Sequence, residues 1–435
     1  MVSLKRVVLL TILMTSIVIG VLLSTHRVRY SLLVESRVNL RRLATNDVAE
    51  VINETSMIIG TSTESLEDNY STLSSKRVGG DDKPIVFIKT HKTGSSTMTS
   101  ILQRYGYTRN LTFLVPNKGS MISYADKFNA SKVDPRWRQT MGYRLLTNHA
   151  RYDRVELSTI FPDAYYITII RNPASQLESA FYYFDISDTI SPSKSSDNPL
   201  EYFMRDPMKS YVDLLSKDLY LKHSMHNHQL FDFGVDIADM YLQNVIDDKI
   251  AEIDANFDLV MICEYFDESL LLLKKLFNWK IEDVVYLLKG RRAQKYRHGE
   301  MSDALRAKIS SWNAGDVKLY EHFNQTLWRK IKAYGPSFDT DLAMLREKLS
   351  SVSEECLEKA RTPTHIREEQ PSLKRSAPAF CEDMNRLVYD FTGLIRKRMH
   401  QLRLPQYFFT ERFPHRKTTA RQPTRIVSNK TRTNK

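Results

Sequence analysis

A short apolar run that leads through a polar loop into a helix constrains the fold of this chain more than any other feature. Residues 85–88 are apolar and typical of a buried strand, and residues 89–97 hold two lysines, one glycine and five hydroxyl side chains. Four residues then recur at helical spacing and predict one buried helix face: Met98, Ile101, Leu102 and Tyr105. Gly106 lies where a C-terminal cap of that helix is expected.

A strand–loop–helix unit of this kind builds a site for an anion. Free backbone N–H groups and the positive end of the helix dipole point at the same place. Lys92 and the neighbouring hydroxyls add donors, so the loop is predicted to bind a phosphate. In an ATP or GTP loop the lysine directly follows the second glycine. Here Lys92 precedes Gly94, which argues against a nucleotide or sugar kinase that would need ATP and magnesium.

A second strand–helix unit follows at residues 165–183. Residues 165–170 are typical of a buried strand, and Arg171 comes directly after them. Asn172 can cap the next helix and Pro173 suits its first turn. Ser179 lies about two turns into that helix. Arginine suits a phosphate because its planar fork donates two hydrogen bonds, whereas the alternative is an arginine paired with a carboxylate beside a merely polar serine.

Together the two units resemble the donor site of sulfotransferases. The order Lys-Thr-Gly-Ser-Ser-Thr at residues 92–97 is similar to their 5′-phosphosulfate loop, and Arg171 with Ser179 resembles their 3′-phosphate clamp. The resemblance implies that the chain binds the sulfate donor PAPS without a metal ion. The residues predicted to bind PAPS are those of the loop and the clamp: Lys89, Thr90, His91, Lys92, Thr93, Gly94, Ser95, Ser96, Thr97, Arg171 and Ser179.

Three longer phrases narrow the resemblance to one family. Residues 87–97, 263–276 and 312–324 are similar to the galactose-3-O-sulfotransferases, and the likeness covers roughly residues 84–335. It implies a P-loop-like sulfotransferase fold and transfer of sulfate to the 3-hydroxyl of a terminal galactose on a glycolipid or glycoprotein. Galactosylceramide, lactosylceramide and the galactose of N- or O-glycans stay open as acceptors, and so does a homodimer.

Sulfuryl transfer depends mainly on positioning and on charge stabilisation. Lys92 is predicted to contact the bridging oxygen and neutralise the leaving phosphate. A base must take the proton of the acceptor hydroxyl, and histidine has a suitable pKa. His149 is the leading candidate, although the family tends to carry two adjacent histidines where this chain has Asn148 and His149. His91 in the loop and a carboxylate such as Glu264 remain alternatives.

Four predicted strands, at residues 85–89, 144–149, 165–170 and 258–263, alternate with helices. This order indicates an α/β fold with a mostly parallel central sheet flanked by helices. Ligands of such sheets bind beyond the carboxyl ends of the strands. The polar loop, His149, Arg171 and Glu264 all come at or just after predicted strand ends. The long segment 185–256 is expected to hold helices that cover the site, and it contains His228.

The amino terminus differs from the rest of the chain. Val7 to Leu23 is an uncharged apolar run after Lys5 and Arg6, at the short end for a membrane-spanning helix. We interpret it as an uncleaved anchor, because no good cleavage site for a signal peptide follows. Six Asn-x-Ser/Thr sequons lie downstream and favour a lumenal body: Asn53, Asn69, Asn110, Asn129, Asn324 and Asn429. The family resemblance then implies the Golgi membrane as the location, and the chain is expected to be a single-pass type II protein.

The predicted organisation follows from these features. Its segments are a cytoplasmic tail at 1–6, an anchor at 7–25, a lumenal stalk at 26–83, a sulfotransferase domain at 84–335, a helical extension at 336–400 and a basic tail at 401–435. Much of the net charge of +12 lies in residues 396–435, so we expect no nucleic-acid partner.

Of the three cysteines, Cys356 and Cys381 are the expected disulfide pair in an oxidising lumen, flanking a loop between two helices. Cys263 is expected to be a buried small hydrophobe, and no Cys/His spacing is typical of a metal site. The alternative to a transferase is a non-catalytic glycan- or nucleotide-binding membrane protein on the same fold.

Overall fold

A computed structural model describes residues 83–190, 198–216, 222–288, 291–292, 300–365 and 368–407. The predicted anchor, the stalk and most of the basic tail lie outside these residues. Within the described part of the chain, no helix is both long enough and apolar enough to cross a membrane.

The core of the fold is a five-stranded sheet in which every neighbouring pair of strands is parallel. Its order is β2-β3-β1-β4-β5. The strands are β1 (Ile85–Ile88), β2 (Phe113–Leu114), β3 (Leu145–Leu146), β4 (Tyr165–Ile170) and β5 (Leu259–Ile262). The α/β class and the parallel sheet are therefore confirmed, and each of the four predicted strands is present. The edge strand β2 has only two residues, too few to show a periodic pattern, and the sequence did not indicate it.

Helices surround this sheet and fill the connections between its strands. The first group contains α1 (Ser95–Thr108), α2 (Arg154–Ile160), α3 (Pro173–Tyr183), α4 (Ile186–Ile190), α5 (Pro199–Phe203), α6 (Pro207–Leu215), α7 (His228–Asp232) and α8 (Gln243–Asn256). The second contains α9 (Phe266–Leu276), α10 (Ile281–Val284), α11 (Asp303–Trp312), α12 (Ala314–Tyr334), α13 (Phe338–Cys356), α14 (Ala379–Asn385) and α15 (Val388–Gln401). The segment 185–256 holds several helices, as expected, and α7 brings it to the site.

Helix α1 corrects the prediction for Gly106. The helix continues to Thr108, so Gly106 does not cap it but lies buried in its last turn. A Cβ atom at this position would fall 2.2 Å from a methyl carbon of Leu145 and 2.5 Å from the ring of Phe113. The glycine is needed because the helix lies directly against β2 and β3.

Asp267 lies in the first turn of helix α9, which begins one residue earlier, at Phe266. Its carboxylate accepts a hydrogen bond of 2.9 Å from the Tyr286 hydroxyl and pairs with Arg346. The acidic side chain therefore joins α9 to residues further along the chain.

The C-terminal part packs against the same sheet-centred core. Cys356 and Cys381 form a disulfide with a Cα–Cα distance of 5.6 Å, which confirms the predicted pair. The segment between them is an antiparallel hairpin of β7 (Leu357–His365) and β8 (Glu368–Leu373), so the expected loop was wrong. The strand pair β6 (Arg291–Arg292) and β8 completes a three-stranded sheet. The hairpin carries charged residues and two prolines, which mask the usual strand pattern.

Candidate active site

Four strands of the sheet deliver polar residues to one edge. The loop 89–97 follows β1, His149 follows β3, Arg171 follows β4 and Glu264 follows β5. Because these strands are parallel, their carboxyl ends lie side by side. The convergence that the sequence predicted is confirmed, and it defines the candidate site.

The loop is held in shape by hydrogen bonds among its own residues. The Lys89 ammonium donates to the hydroxyls of Ser95 at 3.0 Å and Ser96 at 3.3 Å. The hydroxyls of Thr90 and Thr93 lie 2.8 Å apart, and the Thr90 hydroxyl also bonds to the backbone of β4. Lysine and hydroxyl donors are thereby gathered at the start of α1.

The backbone of the loop leaves the start of α1 open to an anion. Lys92 and Gly94 both have positive φ, at 61° and 79°, which turns the chain sharply before the helix. Gly94 is the N-cap and offers no side-chain cap, and the first turn carries no acidic residue. A phosphate fits this set of donors because it can take the hydrogen bonds that a capping side chain would otherwise accept. Thr97 lies in the same turn and is buried.

Lys92 lies between the loop and helix α3. Its Nζ atom is 3.5 Å from the ring centroid of Tyr183, a cation–π contact. Its backbone oxygen accepts a 3.1 Å hydrogen bond from the Arg171 guanidinium. The loop and the strand-end arginine are thus in direct contact, as the proposed donor site requires.

The Arg171 guanidinium lies near the Glu264 carboxylate, at the limit of an ion pair. Its Nε atom lies 4.0 Å from Glu264, and both side chains are about a third exposed. Glu264 also accepts the backbone N–H of Asn172 at 3.1 Å, so it orients this turn. Asn172 caps α3 and Pro173 begins it, which confirms both predictions.

Ser179 is less closely connected to the site than Arg171. It lies on α3, partly buried, two turns from the start of the helix. Among the residues that the structure describes, no hydrogen bond joins its hydroxyl to the loop. The role of Ser179 in the clamp, like that of Arg171, therefore stays a prediction.

Three histidine rings are stacked beside the loop. The rings of His91 and His149 lie 4.0 Å apart at 16°. The opposite side of the His91 ring faces His228, at 4.8 Å and 19°. His91 is thus enclosed between two rings, whereas His149 is at the end of the stack and is partly exposed.

His149 is held in a single tautomer. Its Nδ1 atom is 2.9 Å from the carbonyl oxygen of Lys89, which can only accept, so Nδ1 carries the proton. The lone pair then lies on Nε2. Burial, with the nearby His91 and Lys89, holds the pKa of His149 well below its usual value of 6.5. The ring is therefore neutral, with a lone pair on Nε2 that can accept a proton.

Asn148, which stands where the family tends to carry a further histidine, points away from the site. Its amide donates to the Thr392 hydroxyl at 3.0 Å and to the Ser120 carbonyl at 2.9 Å. It thereby fastens α15 to the chain beside His149. The departure from the family pattern therefore falls outside the histidine stack.

His91 is bound to a carboxylate that the sequence analysis missed. Asp232 accepts the backbone N–H of His91 at 2.7 Å and its Nδ1 at 2.8 Å. Burial opposes the charge of Asp232, but His91 and His228 outweigh it and the pKa of this carboxyl stays below its usual range. Asp232 therefore fixes both the ring and the backbone of the loop. An acidic residue inside the apolar run Leu-Phe-Asp-Phe was the signal available.

Two glutamines were also missed. Gln229 accepts the backbone N–H of Arg171 at 2.8 Å and donates to its carbonyl at 2.9 Å. Gln176 donates to the His91 carbonyl at 3.0 Å and bonds to Nδ1 of His228 at 3.1 Å. Burial lowers the pKa of His228 to about 3, so this ring is neutral. These side chains position the residues predicted to act on ligands.

Ligand atoms of His91, His228 and Asp232 lie within 4.8 Å of one another, the spacing of a metal site. The two rings are nearly parallel and stacked, however, and the lone pairs of imidazole nitrogens lie in the ring plane. One ion could not lie in both planes without moving a ring. The trio is better explained by its hydrogen bonds.

A parallel α/β sheet with an anion-binding loop and a histidine at its carboxyl edge defines the class of site expected of a group-transfer enzyme. The family described as galactose-3-O-sulfotransferase matches residues 1–433. The chain therefore belongs to the galactose-3-O-sulfotransferase family.

The curated relatives are named galactosylceramide sulfotransferase or galactose-3-O-sulfotransferase. Galactosylceramide sulfotransferase of Mus musculus is 35% identical over 279 residues, 63% of this chain and 64% of the relative. The Bos taurus protein of that name is 34% identical over 324 residues, 74% of each chain. Galactose-3-O-sulfotransferase 2 of Homo sapiens is 35% identical over 281 residues, 63% of this chain and 68% of the relative. The first of these alignments thus spans slightly less than two thirds of the relative.

Among solved structures, a sulfotransferase from Alicyclobacillus acidocaldarius matches with a TM-score of 0.31 and 12% identity, covering 55% of this chain and 95% of that chain. A likeness of that size carries no argument here.

Proposed function

We propose that this chain transfers sulfate from PAPS to the 3-hydroxyl of a terminal galactose on a glycolipid or glycan. Membership of the family supports the reaction class, and the names of the relatives support a galactose acceptor. The observation that carries the proposal is the meeting of the loop 89–97, Arg171 and His149 at one sheet edge.

The loop is proposed to hold the 5′ end of the donor. PAPS supplies a sulfuryl group attached to a phosphate that leaves. Lys89, Lys92 and the uncapped start of α1 supply positive charge and N–H donors for that phosphate. Lys92 already lies against Tyr183, which limits where its ammonium can go. Arg171, in contact with the Lys92 backbone, is proposed to bind the 3′-phosphate with Ser179.

His149 is proposed as the base that takes the proton of the galactose hydroxyl. Its proton is fixed on Nδ1 by the Lys89 carbonyl, and its partly exposed ring keeps the Nε2 lone pair. His91 is less suited to this role because its ring is enclosed on both faces and bound to Asp232. We assign His91 to positioning the loop.

The proposed location is the Golgi membrane, with the catalytic part in the lumen. The apolar run from Val7 to Leu23 and the sequons downstream of it support this orientation. Sequon Asn110 is exposed at the end of α1, where a glycan would meet solvent.

The test is sulfate transfer from labelled PAPS by the full-length chain. The acceptors are terminal-galactose lipids and oligosaccharides, each assayed with and without a metal chelator. Product on a galactoside is expected, and its structure identifies the hydroxyl. Lys92→Ala should abolish transfer, while Lys332→Ala, at an exposed lysine on α12, should not. Binding of adenosine 3′,5′-bisphosphate without product on any galactoside would contradict the proposal and favour the non-catalytic alternative.

A further inference from the structure

Two segments far apart in the chain hold each other beside the site. The first, Trp312–Asp316, joins α11 to α12. The second, Met225–Leu230, leads into α7. We call the contact between them the interlock. The first segment belongs to a phrase that marks the family resemblance, yet nothing in the proposed chemistry so far uses it.

The interlock consists of five hydrogen bonds. Trp312 donates its ring N–H to the Met225 carbonyl at 2.7 Å. Asn313 accepts the Asn227 backbone N–H at 2.8 Å, and the Asn227 side chain accepts the Asp316 backbone N–H at 3.0 Å. The Asp316 carboxylate accepts the backbone N–H groups of Gln229 at 3.0 Å and Leu230 at 2.9 Å, one on each oxygen.

Each helix supplies what the other lacks at its start. The N-cap residues of α7 and α12 are Asn227 and Asn313, and neither caps its own helix with its side chain. Asp316, from α12, accepts the N–H groups of the second and third residues of α7. Asn227, the N-cap residue of α7, accepts the Asp316 N–H of α12. The two helix starts are therefore positioned by each other.

The interlock is buried and close-packed, and such surroundings disfavour the charged form of the Asp316 carboxyl. Asp316 is almost completely buried, and that burial raises its pKa to about 7. A buried carboxyl is unfavourable unless its hydrogen bonds satisfy it. A Cβ at Gly315 would lie 2.7 Å from a methyl carbon of Leu230 and 3.2 Å from the Asn227 amide carbon. The sequence thus keeps a glycine and a buried acid at the point where the helices meet.

Helix α7 connects the interlock to the site. It has five residues, and two of them hold functional groups in place. Gln229 bonds to both backbone groups of Arg171, and Asp232 bonds to the ring and backbone of His91. A shift of α7 would therefore move the arginine and the loop together.

We propose that Asp316 and Asn313 are positioning residues of the transfer site, which set the place of helix α7 and through it the place of Arg171 and His91. This inference rests on the proposed function. It assigns to the phrase at 312–316 a role in donor binding and turnover that is exerted through α7.

The test is a double-variant cycle on the full-length chain. Asp316→Asn puts an amide NH₂ where an oxygen now accepts a backbone N–H, and Asp232→Asn removes the carboxylate that holds His91. We measure the Kd of adenosine 3′,5′-bisphosphate by calorimetry, together with kcat and KM for PAPS. Asp316→Asn should weaken binding and lower kcat/KM by about tenfold, the effect of one lost hydrogen bond to a charged group. The double variant should lose little more than Asp232→Asn alone.

The matched control is Ser302→Ala, which removes the side-chain cap of α11 through the Leu305 N–H. It should lower the melting temperature and leave Kd and kcat/KM unchanged. If Asp316→Asn behaves in the same way, or if the losses in the double variant multiply, the inference is wrong.

A second pair of variants covers the case in which Asp316→Asn does not fold. Asn313→Ala removes the acceptor for the Asn227 N–H, and Trp312→Phe removes the ring N–H that the Met225 carbonyl accepts. Donor affinity should fall in each of these variants and stay at wild type in Ser302→Ala, and wild-type affinity in both variants would overturn the inference. The binding measurement needs no turnover. A wild-type chain that binds the bisphosphate but transfers no sulfate would contradict the proposed function, while the variants still decide the interlock.

Discussion

The loop at 89–97 and helix α7 lie on two sides of the same site but are built in different ways. The loop is shaped by contacts within itself, such as Lys89 to Ser95 and Thr90 to Thr93, and Asp232 holds it from outside at His91. Helix α7 is held by residues more than 50 positions away in both directions, among them His91 and Asp316. The comparison shows that the predicted ligand-binding residues of the loop are close together in the sequence. The residues that position them, on α7, are held by partners from distant parts of the chain.

The largest effect is expected at the proposed base, His149, where a loss of catalysis can be measured separately from a loss of donor binding. His149→Asn keeps an N–H near the Lys89 carbonyl and removes Nε2. It should lower kcat by about 10²–10⁴, the usual contribution of a general base, and leave the affinity for adenosine 3′,5′-bisphosphate unchanged. Single-turnover transfer and calorimetry measure the two quantities. A wild-type kcat in this variant would remove His149 from the mechanism.

A smaller effect, on donor binding, is expected when the contact between α7 and Arg171 is changed. Gln229→Glu keeps an acceptor for the Arg171 N–H but places a carboxylate oxygen against the Arg171 carbonyl. The KM for PAPS should rise about tenfold, since one hydrogen bond is replaced by repulsion. Steady-state kinetics with varied PAPS measure it. An unchanged KM would mean that α7 does not set the position of the arginine.

Gly106→Ala tests the support beneath the loop. The added methyl group would overlap Leu145 and Phe113, so the free energy of unfolding should fall by about 1–3 kcal/mol. Transfer per folded molecule should stay near wild type, because the start of α1 is unaffected. Urea unfolding monitored by circular dichroism measures the stability. A variant as stable as the wild type would show that α1 has room to move away from the sheet.

The smallest expected effect is on the dependence of kcat/KM on pH, which should show no fall near pH 6.5 from protonation of His149. A base acts when it is neutral, and the pKa of His149 is held well below 6.5 by burial, His91 and Lys89. In the Asp316→Asn variant, which removes the buried acid whose pKa is raised to about 7, kcat/KM should therefore stay level as pH falls through 6.5, and the fall should come at lower pH. Rates of this variant from pH 5 to 8 measure it. A midpoint near 6.5 would indicate an unperturbed histidine.

The sequence predicted the parts of the fold that have a local cause. The four main strands, the cap at Asn172, the disulfide and the convergence at the sheet edge follow from apolar runs, capping chemistry and strand direction. Gly106 was misread because a glycine near a helix end is consistent with a cap and equally with close packing. Only the position of β2 and β3 decides between them.

The site residues that the sequence did not predict depend on contacts with distant parts of the chain. Asp232, Gln229 and Gln176 matter through partners that lie 52 to 141 residues away in the chain. No spacing in the sequence encodes such a pairing. The hairpin of β7 and β8 was missed for a related reason, because it is stabilised by backbone pairing and a disulfide rather than by an alternating apolar pattern.

The most direct test of the account is a crystal structure of the full-length chain with adenosine 3′,5′-bisphosphate and a galactoside. We predict the 5′-phosphate at the start of α1 beside Lys92, the 3′-phosphate on Arg171, and the 3-hydroxyl of galactose within hydrogen-bond distance of Nε2 of His149. A nucleotide bound elsewhere, or a galactose that faces away from His149, would contradict the account.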